Sequence, residues 1–397
     1  MKWKYRFGVS LGNMLEHYDI AVFAAISVYL IKELNKLNIE NAPEIIWGIF
    51  ALRYILRPFG GYVIGRFADK SGKKSALILT SMVTGFATLL MALLPIELLG
   101  KYTPIIILML QSALCFSFAG EYPSLINYLL YNCPENERSR ISALTAISSL
   151  LGFTMAFLVI YILENTLTIK EMEDIGWRIP LLLGLINIFI SFWFRSRLPD
   201  QPTIAIEQRK VEMRRVLSIF IVAIPATVTF YTQNISWSLI LEYLPLGENK
   251  KYYSLLSSLL LLISVFVCSW ITDKVSSPVK VFNIGVTALI VLSIPLYYMM
   301  TLGEVWLIIL SQIIMTIYIA MIWCNSAVIL VQASGGKVST LGVGFNSTAV
   351  IFGGLTPLVI NQLLGLGMVY VGVFLCCCGF VFLLNWKVNK IANKVTS

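Results

Sequence analysis

The sequence predicts an all-α polytopic membrane protein, with twelve transmembrane helices arranged as two pseudo-symmetric six-helix bundles. Three observations carry that expectation. Of the 397 residues, 58% are hydrophobic and only 13% charged, against roughly 25% charged in a soluble domain. Mean hydropathy is +0.81. Apolar stretches recur at 7–31, 45–67, 75–96, 102–130, 141–163, 178–195, 217–243, 252–272, 279–301, 304–331, 340–364 and 367–386, each long enough for the ~20 residues a bilayer demands. Finally, of 30 Lys and Arg, 21 fall on the side of the N-terminus and 6 on the other, with Arg53, Arg57 and Arg178 within or at the edge of spans. That asymmetry places both termini in the cytoplasm. It also accounts for the net charge of +9 as a topology signal, so nucleic-acid binding is not expected.

Span 1 is interrupted by Glu16, His17 and Asp19, and no small-residue cleavage site follows it. It is therefore expected to stay in the mature protein instead of acting as a cleavable signal. Span 2 carries Arg53 and Arg57. Between spans 2 and 3 runs Gly65-Arg66-Phe67-Ala68-Asp69-Lys70-Ser71-Gly72-Lys73-Lys74, a short cytoplasmic elbow. Gly65 and Gly72 allow a tight turn and close helix approach. Asp69 is expected to pair with neighbouring bases or face a helix N-terminus, while Lys70, Lys73 and Lys74 hold the elbow on the cytoplasmic side. Together these residues form a candidate cytoplasmic gate.

Span 4 contains Gln111 and Glu121. An ionisable residue well inside a span costs about 2.5–3.5 kcal/mol on insertion scales, so each is a functional candidate. At 1.5 Å per residue, Glu16, Arg57 and Glu121 all fall about 14–15 Å from the cytoplasmic ends of their spans, one layer near the midplane. Glu16 with Asp19 (i,i+3) and Arg53 with Arg57 (i,i+4) each present one helical face. A carboxylate near a buried arginine can exchange a proton for an ion pair. Glu16, Asp19 and Glu121 are the proton-coupling candidates, and Arg53 and Arg57 the anchors for a substrate carboxylate. A purely structural salt-bridge network is the competing reading.

Residues 1–195 form the first bundle, 196–216 a basic cytoplasmic linker, and 217–397 the second bundle. In span 7 the candidates are Tyr231, Gln233, Asn234 and Trp237, in span 10 Trp323 and Asn325, and in span 11 Asn346. Of these, Tyr231, Asn234, Trp323 and Asn346 join Gln111 as substrate-binding candidates, with packing as the competing role of the aromatics. Span 8 ends in Ser269-x-x-x-Asp273-Lys274, an echo of the elbow without its Gly-Lys-Lys. Of seven cysteines, Cys376, Cys377 and Cys378 lie in span 12, Cys115, Cys268 and Cys324 in other spans, and Cys133 in a loop. None is placed for an extracellular disulfide. With one histidine and no metal-ligand spacing, neither metal nor cofactor is expected, and an enzyme would want a nucleophile–base pair the sequence does not offer.

The pattern G-x-x-x-D-K-x-G-K-K resembles the loop between helices 2 and 3 of the major facilitator superfamily. Gly12-Asn13-Met14-Leu15-Glu16-His17-Tyr18-Asp19, Arg57-Pro58-Phe59-Gly60-Gly61, Gly120-Glu121-Tyr122, Pro134-x-x-x-Arg138, Gly176-Trp177-Arg178-Ile179-Pro180 and Phe345-Asn346 with Gly354-Leu355-Thr356-Pro357 are similar to its metabolite:proton symporter branch. The resemblance implies a bacterial inner-membrane carrier, working as a monomer with no cofactor but the proton. It would take up a small polar metabolite, an osmolyte such as proline or betaine or an organic acid. Gln111 stands where that branch commonly has a base, which shifts the expected carboxylate contact towards Arg53. Proton-driven export of an amphipathic compound, and a non-transporting membrane receptor, are the alternatives.

Overall fold

A computed structural model describes residues 3–131, 133–203 and 211–395; the side chains at 50, 51, 53, 187, 238, 248, 251 and from 384 onward lie outside that description. The middle of the expected linker, 204–210, therefore also lies outside it. The described chain is almost wholly helical, and no strand occurs among the described residues. Ten of its helices are long and apolar enough to cross a membrane.

The chain falls into two compact units whose boundaries follow packing more than chain order. The first comprises 1–131, 147–211 and 337–343. In it run α1 (Trp3–Lys36), α2 (Ala42–Ile55), α3 (Arg57–Ser71), α4 (Lys73–Ala92), the short α5 (Ile96–Leu99), α6 (Thr103–Leu130), most of α7 (Arg138–Thr166), α8 (Ile169–Asp174) and α9 (Ile179–Ser196). Helix α6 packs on α3 and α4, and α9 on α4 and α1. The start of α8 is fixed by a capping box in which Thr168 and Glu171 satisfy each other's backbone N–H groups.

The second unit comprises 132–146, 212–336 and 344–397. It contains the first turns of α7, then α10 (Met213–Asn234), α11 (Trp237–Glu242), α12 (Lys250–Val275), α13 (Pro278–Thr301), α14 (Val305–Ser334), the second part of α15 (Val338–Thr348), whose first turns belong to the first unit, α16 (Gly354–Leu366) and α17 (Val369–Val395). Helix α13 packs on α14 and α17, and α14 on α10 and α12.

Burial runs opposite to that of a soluble protein. Phe86, Met109, Phe189, Val291 and Leu358 are exposed, while Asn13, Thr80, Ser117, Ser124, Ser293 and Asn325 are buried. Large apolar side chains turned outward on helix after helix need a lipid environment. The buried hydroxyls mostly return their protons to a carbonyl of their own helix, as Ser124 does to Gly120 and Ser293 to Leu289, which satisfies them without water.

Three expected spans are not continuous helices. Span 2 divides between α2 and α3 at Leu56, because Pro58 has no N–H to offer the carbonyl four residues back and fits only in a first turn. Span 7 is interrupted at Ile235 and Ser236, between α10 and α11. Span 11 carries a π-turn, Ala349–Gly353, between α15 and α16. Pro357 lies one turn beyond and cannot bond to Gly353, while the Thr356 hydroxyl donates to the Phe352 carbonyl oxygen.

Candidate functional site

The polar interior of the first unit is organised around α1. Asn13 donates through Nδ2 to both Ser148 Oγ and Ser149 Oγ, each at 2.8 Å. One turn on, His17 Nδ1 donates to the Asn13 carbonyl oxygen at 2.8 Å, with its ring edge-on to Phe153. Arg57, the first residue of α3, ion-pairs with Glu16, and both are buried. The break at Leu56 therefore sets where this guanidinium stands. Its other flank rests on the Tyr54 ring, 5.4 Å from the centroid, a cation–π contact. Asp19 is also buried. Arg53 lies in α2, but its side chain is outside the described residues.

Glu121 does not join Arg57. Its Oε1 accepts from Arg195 Nη2 at 2.6 Å, and Arg195 Nη1 donates to Ser81 Oγ at 2.6 Å and to the Leu77 carbonyl oxygen at 3.0 Å. The guanidinium is only 1% exposed. Arg195 is thus an interior residue, whereas its place at the end of span 6 reads as a cytoplasmic topology marker. A Cβ at Gly12 would overlap both Arg195 Nη2 and Glu121 Oε1, so this glycine lets the ion pair pass beside α1. The two pairs, Arg195–Glu121 and Arg57–Glu16, flank α1 one turn apart. Burying such charges is tolerable only because each is paired and hydrogen-bonded.

Gln111 is buried in α6, ten residues and so about 15 Å along the helix from Glu121.

The elbow is built around Asp69. Its carboxylate accepts from the backbone N–H of Val338 at 2.9 Å and of Ser339 at 3.0 Å, and from Ser339 Oγ at 2.6 Å. It therefore holds the N-terminus of α15, where backbone donors and the helix dipole favour an anion. Gly65 makes this possible, since a Cβ there would lie 2.5 Å from Ser339 Cα and 2.8 Å from its nitrogen. Gly72 has φ +96°, which suits glycine, and donates to the Ala68 carbonyl oxygen. Lys73 is buried with its Nζ over the Tyr131 ring, Lys74 reaches Asp200 at 3.4 Å, and Lys70 points outward.

In the second unit the echo of the elbow keeps its carboxylate function. Asp273 accepts from the N–H of Ser139 at 2.8 Å, from the N–H of Arg140 at 3.0 Å and from Arg140 Nε at 3.0 Å. It therefore holds the start of α7 much as Asp69 holds that of α15. Ser139 Oγ also donates to Asn325 Oδ1 at 2.7 Å. The absence of a Gly-Lys-Lys run hides this equivalence in the sequence; the shared x-x-x-Asp-Lys spacing is its only trace.

The remaining candidates of that unit cluster on α10, α14 and α15. Trp323 is 3% exposed, donates through Nε1 to Thr229 Oγ1 at 2.9 Å and packs against Phe230. Its indole is committed to packing between α10 and α14. Tyr231 packs against Phe230 and the backbone of Gly353. Asn234 donates to the Phe230 carbonyl oxygen at 2.9 Å, and Asn346 is fully buried.

The family model of the Major Facilitator Superfamily matches residues 9–357. A protein of Staphylococcus haemolyticus (strain JCSC1435), named "Putative proline/betaine transporter", is 28% identical over 385 residues, covering 89% of this chain and 80% of its own length. The ectoine/proline transporter ProP of Corynebacterium glutamicum is 27% identical over 404 residues, covering 90% of this chain and 77% of that protein. Among solved structures, the proton:xylose symporter XylE bound to 6-bromo-6-deoxy-D-glucose superposes with a TM-score of 0.75 at 13% identity, covering 97% of this chain and 95% of that one. A bacterial homologue of the iron transporter ferroportin in an outward-facing state gives 0.70 at 10% identity, covering 98% and 100%. At those identities the superpositions speak for the fold alone. The family-model match over most of the chain and the transporter relatives, together with the helical architecture, lead to one assignment: the chain belongs to the Major Facilitator Superfamily, as a multi-pass membrane transporter of a small molecule and not an enzyme.

Proposed function

We propose that this transporter takes up a small polar metabolite bearing a carboxylate, an osmolyte such as proline or betaine or an organic acid, together with protons. It would do so in a bacterial inner membrane, with both termini cytoplasmic. The observation that carries this reading is the buried Arg57–Glu16 ion pair on α1, one turn from the Arg195–Glu121 pair. Protonating either carboxylate neutralises it and frees its arginine, which is then a buried cation seeking an anion. A substrate carboxylate supplies that anion, and the planar fork of arginine suits it. Proton and substrate thereby favour each other's binding, which is the thermodynamic requirement for symport. Glu16, Asp19 and Glu121 take the proton in this scheme, and Arg57 with Arg53 takes the carboxylate. The commitment of Trp323 to packing favours arginine recognition over capture of a quaternary ammonium by aromatic rings.

The basic bias of the cytoplasmic side supports the orientation. Asp69 and its neighbours would act as a latch that must open once per transport cycle. The test is counterflow in proteoliposomes against amino acids, betaines and mono- to tricarboxylates, followed by net movement under an imposed proton gradient. Accumulation driven by inward proton flow is expected for a carboxylate-bearing solute. Net extrusion of an amphipathic compound under the same gradient would replace this reading with an exporter.

A further inference from the structure

The Glu121–Arg195 pair borders an internal cavity of about 10 Å³, lined also by Ser81, Thr84 and Ser191. A second cavity of about 10 Å³ lies beside Asp19, lined also by Tyr18, Thr88 and Gly184. Leu15, Thr84 and Ile188 line both, so the two adjoin. Each is at the lower limit of the space one water needs.

Polar atoms are waiting for such a water. Ser191 Oγ and Arg195 Nε on the first cavity and Thr88 Oγ1 on the second have no hydrogen-bond partner in the protein, although their residues are at most 2% exposed. A buried polar group left unpaired costs about 1–3 kcal/mol, and a bridging water removes that cost. The lining is also periodic. Gly12, Leu15 and Asp19 on α1, Ser81, Thr84 and Thr88 on α4, and Gly184, Ile188, Ser191 and Arg195 on α9 each follow three- and four-residue steps. Three helical stripes thus run along one line.

We propose that the two cavities form a hydrated passage inside the first unit, along which a proton moves between Asp19 and Glu121. This rests on the proton-coupled reading above and adds a route to it. The Asp19 O–H breaks as its proton passes to the neighbouring water. Each water or hydroxyl in the line accepts one proton and gives up another, with Thr84 at the shared waist. The final O–H bond forms on Glu121, which then releases Arg195 Nη2. One proton is moved in net, from Asp19 to Glu121, and every relay oxygen ends with as many O–H bonds as it began.

Gly184→Ala is the decisive variant. A Cβ at Gly184 would lie 3.4 Å from Tyr18 Cε1, 3.8 Å from Tyr18 Cδ1 and 4.0 Å from Thr88 Cγ2. These are ordinary contacts, so the methyl fills the second cavity without displacing its walls. Thr88→Val removes a hydroxyl at nearly constant shape and serves as the second variant. Two measurements apply. Radiolytic hydroxyl labelling of the purified, solute-free protein reports water at buried Leu181, which lines the second cavity alone, and Phe118, which lines the first alone; both should be labelled in the wild type, and Leu181 labelling should drop about fivefold or more in Gly184→Ala. In proteoliposomes containing a pH dye, proton movement driven by the panel solute that gives counterflow should fall about tenfold or more in both variants, while counterflow stays within about twofold. Unlabelled Leu181 and Phe118 in the wild type would mean a dry interior and overturn the passage. Wild-type proton movement in Gly184→Ala and Thr88→Val would overturn it too, leaving proton coupling intact. Solute movement with no accompanying proton in the wild type would overturn both.

Discussion

Replacing Asp69 with asparagine tests how firmly the elbow is latched. The carboxylate accepts three hydrogen bonds, two from backbone N–H groups at the start of α15 and one from Ser339 Oγ. Asparagine keeps one acceptor oxygen, loses the charge, and turns an NH₂ group towards donors. Hydrogen bonds to a charged group contribute about 1.5–3 kcal/mol each, and the dipole interaction about 0.3–1 kcal/mol. Losing one such bond and the dipole interaction gives about 2–4 kcal/mol, which raises the open-to-latched ratio about 30- to 700-fold. Thr340 provides the reporter. It is fully buried in the latched elbow and its hydroxyl has no protein partner, so Thr340→Cys removes nothing that holds the latch. In a background without the native cysteines, alkylation of that position from the elbow's side of the membrane should speed up about tenfold or more on adding Asp69→Asn, and transport should slow with unchanged protein in the membrane. Equal alkylation and wild-type transport rates would refute the latch.

Glu121→Gln should abolish proton-driven accumulation while preserving counterflow, which moves no net proton; unchanged accumulation in both Glu16→Gln and Glu121→Gln would remove these carboxylates from coupling. Arg195→Gln leaves the Glu121 carboxylate without its buried partner, a loss of about 3–5 kcal/mol, so the thermal midpoint of the purified protein should fall and partly recover in the double variant with Glu121→Gln. Gly12→Ala drives a methyl into the same pair and should lower that midpoint, whereas Gly184→Ala should not; equal midpoints would show that α1 can shift to accommodate it. Arg53→Lys keeps the charge but loses the planar fork, and should weaken apparent affinity more than it weakens expression; unchanged affinity in Arg53→Gln for every panel solute would make Arg53 structural.

The spans, the elbow and the charged residues of α1, α3 and α6 are legible in the sequence because each is a local signal: an apolar run, a glycine–acid–base cluster, a charge where none should be. Partner choice is not local. Glu121 and Arg57 lie at matching depth, yet depth alone does not say that α9 lies against α4 and α1 and brings Arg195 to Glu121. Arg195 was masked by its position, since a base at the end of an apolar span ordinarily marks the cytoplasmic side. The four-residue step from Ser191 to Arg195, which puts a hydroxyl and a guanidinium on one face, is the signal that distinguishes it. The division of span 2 was equally present in Pro58. An apolar count overlooks it, because proline changes the hydrogen-bond ladder and not the hydropathy.

The π-turn at Ala349–Gly353 has a consequence for chain length. Each residue of an α-helix advances the azimuth by about 100°, whereas a residue of a π-turn advances it by less, so the wider turn takes in one surplus residue and the helix beyond keeps its facing. Downstream, Thr356, Ile360 and Leu364 are all at most 2% exposed, while Leu355 and Leu358 face outward. Removing one of residues 349–353 would restore an unbroken spiral and leave that inward stripe where it is, whereas removing one residue from the α-helical stretch beyond would swing everything after it by about 100°. The segment holds a spare residue, and the protein should withstand a single deletion there better than one turn further on.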